Sequence, residues 1–213
     1  MDKKVVIIDY GLGNLYSIAQ ACNHVGFSPV ITSNKEEIIN ADSVILPGVG
    51  AFKIAMNHLL ELDLVPVIRD FAKSGKPLMG ICLGMQLLFD ESEEFGMNKG
   101  LGLIPGVIKR FPEKVNDKKI KIPHIGWNRL INAGCNWANT PLREISEMEF
   151  MYFVHSYYAE PLIQSDILTY TNYQEFKYCS SIQNENIFGF QFHPEKSGET
   201  GLSIYKYFLD RKS

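Results

Sequence analysis

The sequence predicts an α/β protein built on a largely parallel sheet with helices on both faces. Two observations carry this prediction. Short β-branched apolar runs alternate with segments of helical periodicity through the first ninety residues, as in successive strand–helix–strand units. Those runs are also continuous rather than alternating with polar residues, which suits strands buried on both sides.

Val5, Val6, Ile7 and Ile8 lead a strand over 5–9, ended by the turn Gly11-Leu12-Gly13-Asn14. Residues 15–25 place Leu15, Ile18, Ala19, Cys22 and Val25 at helical spacing and close on Gly26. A second strand over 27–32, a short helix over 35–39 and a third strand over 43–46 follow. After Pro47-Gly48-Val49-Gly50, helical patterns occupy 51–60 and 64–74; 78–81 is strand-like and 83–90 helical. Asp90-Glu91-Ser92-Glu93-Glu94 reads as a solvated helix end or loop. Residues 109–121 hold six basic side chains against two acidic ones. Without regularly interleaved aromatics to stack bases, they read as an exposed loop or hairpin rather than a nucleic-acid site. Strand-like runs at 149–154, 167–171, 178–183 and 187–192 precede a last helix over 201–209. No repeat or Pro/Gly/Ser linker divides the chain, so one domain over 1–213 is expected.

Composition narrows the function. With 213 residues, 46% of them hydrophobic, and a formal charge of −3, the chain has ample core and no electrostatic pull toward nucleic acid or anionic lipid. Cys22, Cys82, Cys135 and Cys179 form no CxxC pair, which suits neither a zinc site nor a disulfide framework. No metal or cofactor is predicted. Gly11-Leu12-Gly13 is a poor dinucleotide signal, because Tyr16 stands where the third glycine is needed. The apolar run at the amino end is too short for a signal peptide, and no run approaches a membrane span. The expectation is a soluble cytoplasmic protein.

Gly80-Ile81-Cys82-Leu83-Gly84 falls between a predicted strand and a predicted helix. It is the thiol form of a nucleophile elbow, a sharp turn that lifts the nucleophile above the sheet edge. A thiol at a helix N-terminus gains reactive thiolate character, and the N–H of Leu83 is available to an oxyanion. A base is also required. Of five histidines, His193 ends a strand-like run and is followed by Pro194 and Glu195, so a carboxylate stands two residues away to orient the ring. The glycine-rich turn around Val49 is a second candidate donor of backbone N–H groups to a developing negative charge.

Cys82 in its glycine frame, with Phe190-Gln191-Phe192-His193-Pro194-Glu195-Lys196-Ser197 far downstream, resembles the class I (triad) glutamine amidotransferases. More narrowly, the whole chain is similar to the glutaminase subunits of imidazole glycerol phosphate synthases. The motifs that carry this are Asp9-Tyr10-Gly11-Leu12-Gly13-Asn14, Pro47-Gly48-Val49-Gly50-Ala51-Phe52, Pro123-His124-Ile125-Gly126-Trp127-Asn128 and Tyr152-Phe153-Val154-His155-Ser156-Tyr157. The resemblance implies a flavodoxin-like fold and hydrolysis of glutamine by Cys82, His193 and Glu195. It assigns the oxyanion to the N–H groups of Leu83 and Val49, and glutamine binding to Gly50, Gln86, Ser156 and Tyr157. It further implies a (β/α)₈-barrel cyclase partner that takes the ammonia in a histidine-pathway step. The docking residues would be Asn14, Pro123, His124, Trp127, Tyr152 and Lys196, exposed in the lone subunit and covered in the complex. The rival readings are a paralogue feeding a surface-sugar amidotransferase, a cysteine peptidase, and a binding module with a structural Cys82.

Overall fold

The computed structural model describes residues 3–211. Its first half is a run of strands and helices: β1 (Val5–Ile8), α1 (Leu15–His24), β2 (Val30–Thr32), α2 (Lys35–Ile39), β3 (Ser43–Leu46), α3 (Phe52–Glu61), α4 (Val65–Lys73), β4 (Leu78–Ile81) and α5 (Leu83–Leu87). All four side chains of β1 are fully buried. Val6 and Ile8 pack with α3 and α4 on one face, Val5 and Ile7 with α1 on the other. The period of two is present, and both phases are apolar because both faces are covered.

The second half is built mainly of strands: β5 (Phe89–Ser92), β6 (Asn98–Lys99), β7 (Ile104–Arg110), β8 (Lys114–Val115), β9 (Lys118–Lys119), β10 (His124–Arg129), β11 (Ile131–Asn132) and β12 (Phe150–His155). Then come β13 (Tyr157–Pro161), β14 (Ile167–Tyr173), β15 (Phe176–Asn184), β16 (Ile187–Phe190) and the closing helix α6 (Gly198–Asp210). The main sheet runs β2-β1-β3-β4-β16-β15-β13-β7-β5-β6, with β14 and β11 branching from β15. From β2 to β16 every pairing is parallel. β15, β13 and β7 extend the sheet antiparallel. β10 and β12 form a separate antiparallel ribbon, and β8–β9 the hairpin expected in the basic stretch.

Two details position the site. β16, near the carboxyl end, pairs with β4 in the register Gly189↔Gly80 and Phe190↔Ile81. The residues following both strands therefore meet at one sheet edge. The helix expected over 83–90 stops at Leu87, and Phe89–Ser92 is a strand instead. A continuous apolar run such as Leu87-Leu88-Phe89 does not distinguish the two states by periodicity. The acidic cluster is consequently not solvated throughout: Ser92 and Glu94 are buried.

Candidate active site

Cys82 caps α5 at φ +54°, ψ −111°, a left-handed conformation that side chains rarely adopt. Its own N–H donates to Phe190 O at 2.7 Å, locking the elbow to β16. The flanking glycines are required by close approach. A methyl group at Gly84 would lie 1.9 Å from Leu46 O, and one at Gly80 2.7 Å from Gly84 O. The sharp turn is thus wedged between β3, β4 and β16, with the Leu83 N–H in the first turn of α5, where helical N–H groups lack an intrahelical acceptor.

His193 follows β16 at the same edge. Its N–H donates to Tyr152 O at 2.9 Å, and its carbonyl accepts from Ser197 Oγ at 2.7 Å. Pro194–Lys196 form a single 3₁₀ turn that folds Glu195 back onto the ring, with Nδ1 to Oε1 at 2.8 Å. Both side chains are essentially inaccessible, 3% and 0% exposed. Burial alone would lower the His193 pKa. Hydrogen bonding and charge from Cys82 and Glu195 outweigh it and raise the value well above that of a free imidazole. Nδ1 is committed to Glu195, and Nε2 is buried with no hydrogen-bond partner among the described residues. Nucleophile, base and orienter thus form one electrostatic unit. Burial pushes the Cys22 thiol up to about 12 and the Cys179 thiol higher still, as expected of inert packing cysteines.

A cavity of about 750 Å³ opens over Cys82. Val49, Gly50, Leu83, Gln86, Ser156 and Tyr157 all line it, so the residues expected for oxyanion and glutamine binding share one space with the nucleophile. Gln86 is nearly buried, and its Nε2 donates to Tyr157 O at 3.0 Å and Gln191 Oε1 at 2.9 Å. Only its Oε1 remains free for a ligand. Three residues escaped the sequence reading. Gln191 is fully buried beside the nucleophile, its Nε2 3.8 Å from Cys82 Sγ. Glu94 and Arg110 bring opposite charges to the cavity wall, and Glu94 Oε2 accepts from the Phe52 N–H at 2.5 Å. Only Gln191 lay within a recognised motif, Phe190–Ser197, where it was given no role.

Of the expected docking residues, Pro123, Trp127 and Lys196 are exposed, and Asn14 and Tyr152 are half-buried. Trp127 packs edge-on against Tyr152 at 6.0 Å, and Lys196 Nζ lies 5.8 Å from the Tyr152 ring centroid. His124 differs. It is 2% exposed, with its ring stacked on Tyr173 at 3.9 Å and Phe153 at 5.0 Å. The reason is strand parity: in β10 the side chains of 125, 127 and 129 face outward, while 124 points to the core. His124 therefore offers no side chain to a docking partner.

The family model for class-I glutamine amidotransferases matches residues 6–211. The chain belongs to this family. It is 47% identical to imidazole glycerol phosphate synthase subunit HisH 1 of Legionella pneumophila (strain Lens) over 208 residues, covering 96% of this chain and 98% of that one. Identity to the HisH subunit of Methanosarcina acetivorans is 46% over 208 residues, with 98% of each chain covered. Identity to that of Bacillus cereus (strain ATCC 10987) is 47% over 206 residues, covering 96% and 93%. Among solved structures, PurLQS from Thermotoga maritima superposes with a TM-score of 0.71 at 20% identity over 99% of both chains. A structure described as glutamine amidotransferase gives 0.72 at 16% identity, covering 96% and 97%. These two establish the amidotransferase fold. Among the described residues no helix is long and apolar enough to cross a membrane, and no cluster of three or more potential ligands could hold a metal ion.

Proposed function

We propose that this amidotransferase is the glutaminase subunit of an imidazole glycerol phosphate synthase, releasing ammonia from glutamine for a cyclase partner in histidine biosynthesis. The observation that carries the chemistry is the strained Cys82 elbow beside the buried His193–Glu195 pair, opening on a cavity lined by polar and charged groups. Relatives at 46–47% identity over nearly the whole chain carry the same subunit name. That similarity supports the histidine-pathway assignment over a sugar amidotransferase.

Glutamine binds with its side-chain amide over Cys82. Gly50, Ser156, Tyr157 and the Oε1 of Gln86 form the walls, and Glu94 and Arg110 offer opposite charges for the ammonium and carboxylate ends of an amino acid. Cys82 Sγ attacks the amide carbon, and the oxyanion is received by the N–H groups of Leu83 and, after adjustment of the Pro47–Gly50 turn, Val49. One such donor contributes about 3 kcal/mol of transition-state stabilisation. His193, held protonated by Cys82 and Glu195, gives its proton to the departing nitrogen, and ammonia leaves. His193 then takes a proton from water as the water attacks the thioester. The C–S bond breaks with its electron pair on sulfur, glutamate departs, and the Cys82 thiolate beside protonated His193 is restored. One water is consumed for each ammonia formed.

Ammonia released into bulk water at neutral pH is protonated and lost as a nucleophile, so the site needs a partner that encloses it. The partner in this reading is a (β/α)₈-barrel cyclase docked over Asn14, Pro123, Trp127, Tyr152 and Lys196. The test uses the chain reconstituted with the cyclase. Cys82→Ala should lower glutamine-dependent synthesis by roughly 10³-fold or more, while synthesis from ammonium stays within twofold. Retention of glutamine-dependent synthesis, or wild-type stimulation only by a sugar amidotransferase, rejects the proposal.

A further inference from the structure

We infer that His124, Tyr178 and His155 form a one-way hydrogen-bonded relay whose hydroxyl, Tyr178 Oη, positions the Tyr157 carbonyl and through it Gln86 for glutamine binding. The inference rests on the glutaminase reading of the cavity and adds three positioning residues to it.

The direction of every link follows from donor and acceptor inventory. His155 Nδ1 lies 2.8 Å from Tyr157 O. A carbonyl only accepts, so Nδ1 carries the hydrogen. In a neutral imidazole the other nitrogen is then an acceptor, and His155 Nε2 stands 3.2 Å from Tyr178 Oη. The phenol donates there, which leaves its oxygen free to accept from His124 Nδ1 at 3.0 Å. His124 Nε2 is left as an acceptor, and Asn128 Nδ2 is 3.4 Å away. One proton arrangement satisfies all four contacts. Neutral rings are what this site supports: burial lowers His124 to about 4 and His155 to about 3.

The inner end of the relay is the wall of the cavity. Tyr157 O accepts from both His155 Nδ1 and Gln86 Nε2. Gln86 also donates to Gln191, whose Nε2 reaches the sulfur of Cys82. The outer end is β10, whose other face carries the exposed Ile125 and Trp127. The network therefore links the inner face of the ribbon to the wall beside the nucleophile without reaching solvent in between, since His124, Tyr178 and His155 are 2%, 2% and 6% exposed.

Packing does not account for the hydroxyl. The Tyr178 ring sits edge-on to Phe111 at 5.1 Å, a contact a phenylalanine would keep. A buried hydroxyl costs free energy unless its bonds are made, and here it makes two. Without it, His155 Nε2 loses its donor and nothing holds the proton on Nδ1. In the other tautomer the Nδ1 lone pair would face the Tyr157 carbonyl and push it away from Gln86.

The test uses the complex with the cyclase. Tyr178→Phe should raise KM for glutamine about tenfold, as expected for loss of a buried hydrogen bond, with kcat changed less than threefold and ammonium-dependent synthesis unchanged. A KM within twofold of wild type overturns the relay. The second measurement needs no variant: nitrogen-15 chemical shifts of His155 in the wild-type chain should report the Nδ1–H tautomer, and the Nε2–H tautomer overturns the relay. Wild-type chain that fails to hydrolyse glutamine with the cyclase present rejects the glutaminase reading instead, so the two failures are separable.

Discussion

Cys82 occupies a sparsely populated backbone conformation that costs about 1–3 kcal/mol, and it is held there by the Phe190 carbonyl and the wedged glycines at 80 and 84. This strain was legible in the sequence, because G-x-C-x-G between strand and helix states the local geometry. His193 and Glu195 were legible for the same reason: two residues and a proline fix their separation. Gln191 and Glu94 were not, since only tertiary pairing brings a glutamine of the strand-end motif to the sulfur and an acidic side chain to the start of α3. The buried environments of Cys22 and Cys179, against the cavity above Cys82, set an order of reactivity. At pH 7, iodoacetamide should alkylate Cys82 at least about tenfold faster than Cys22 or Cys179, read by peptide mass spectrometry over a time course. Modification of Cys22 or Cys179 first would contradict the assignment of Cys82 as the activated thiol.

At the scale of elements, the β10–β12 ribbon is the part of the site that sequence reasoning resolved least. The motif Pro123–Asn128 was recognised as a unit, yet its residues divide between two faces. Register pairs Ile125 with Val154, Trp127 with Tyr152 and Arg129 with Phe150, and these six form the outer face. His124, Met151, Phe153 and His155 form the inner one. A linear motif does not reveal this parity until the strand is placed. The boundary between α5 and β5 was missed for a related reason, since a fully apolar stretch carries no phase. The outer face exposes Ile125 (59%), Trp127 (56%) and Phe150 (44%), an apolar surface of the kind that anchors a partner. Trp127→Ala should therefore raise the Kd for the cyclase at least about tenfold while leaving the unfolding midpoint of the free chain within about 0.5 kcal/mol. Titration calorimetry and urea unfolding measure the two. Unchanged affinity would remove Trp127 from the docking face.

Across the whole molecule, the strand–helix units of the first ninety residues were readable in their order because each strand is followed closely by its crossover helix, whereas β12, β14, β15 and β16 were readable as strands but not in their pairing. β16 must travel more than a hundred residues in sequence to lie beside β4, and no local pattern records that pairing. Yet this closure brings His193 to Cys82 and, with β15, puts Tyr178 behind the ribbon. It also encloses His124 and His155 as neutral rings, which links folding to pH. An unfolded histidine titrates near 6.5, whereas these two stay neutral until about 4 and about 3. Between those values the unfolded chain binds more protons than the folded one, so stability falls as pH falls. His193 is shifted the other way, so its contribution is complete below 6.5 and flat across this window. Each buried neutral histidine should cost about 2 kcal/mol by pH 5, visible as a steady drop in urea midpoint from pH 7 to pH 5. His124→Phe, which keeps the aromatic stack on Tyr173 and Phe153, should remove about half of that drop. A midpoint that stays constant across the window would mean that the enclosed rings accept protons in the folded state, and would contradict the neutral arrangement on which the relay depends.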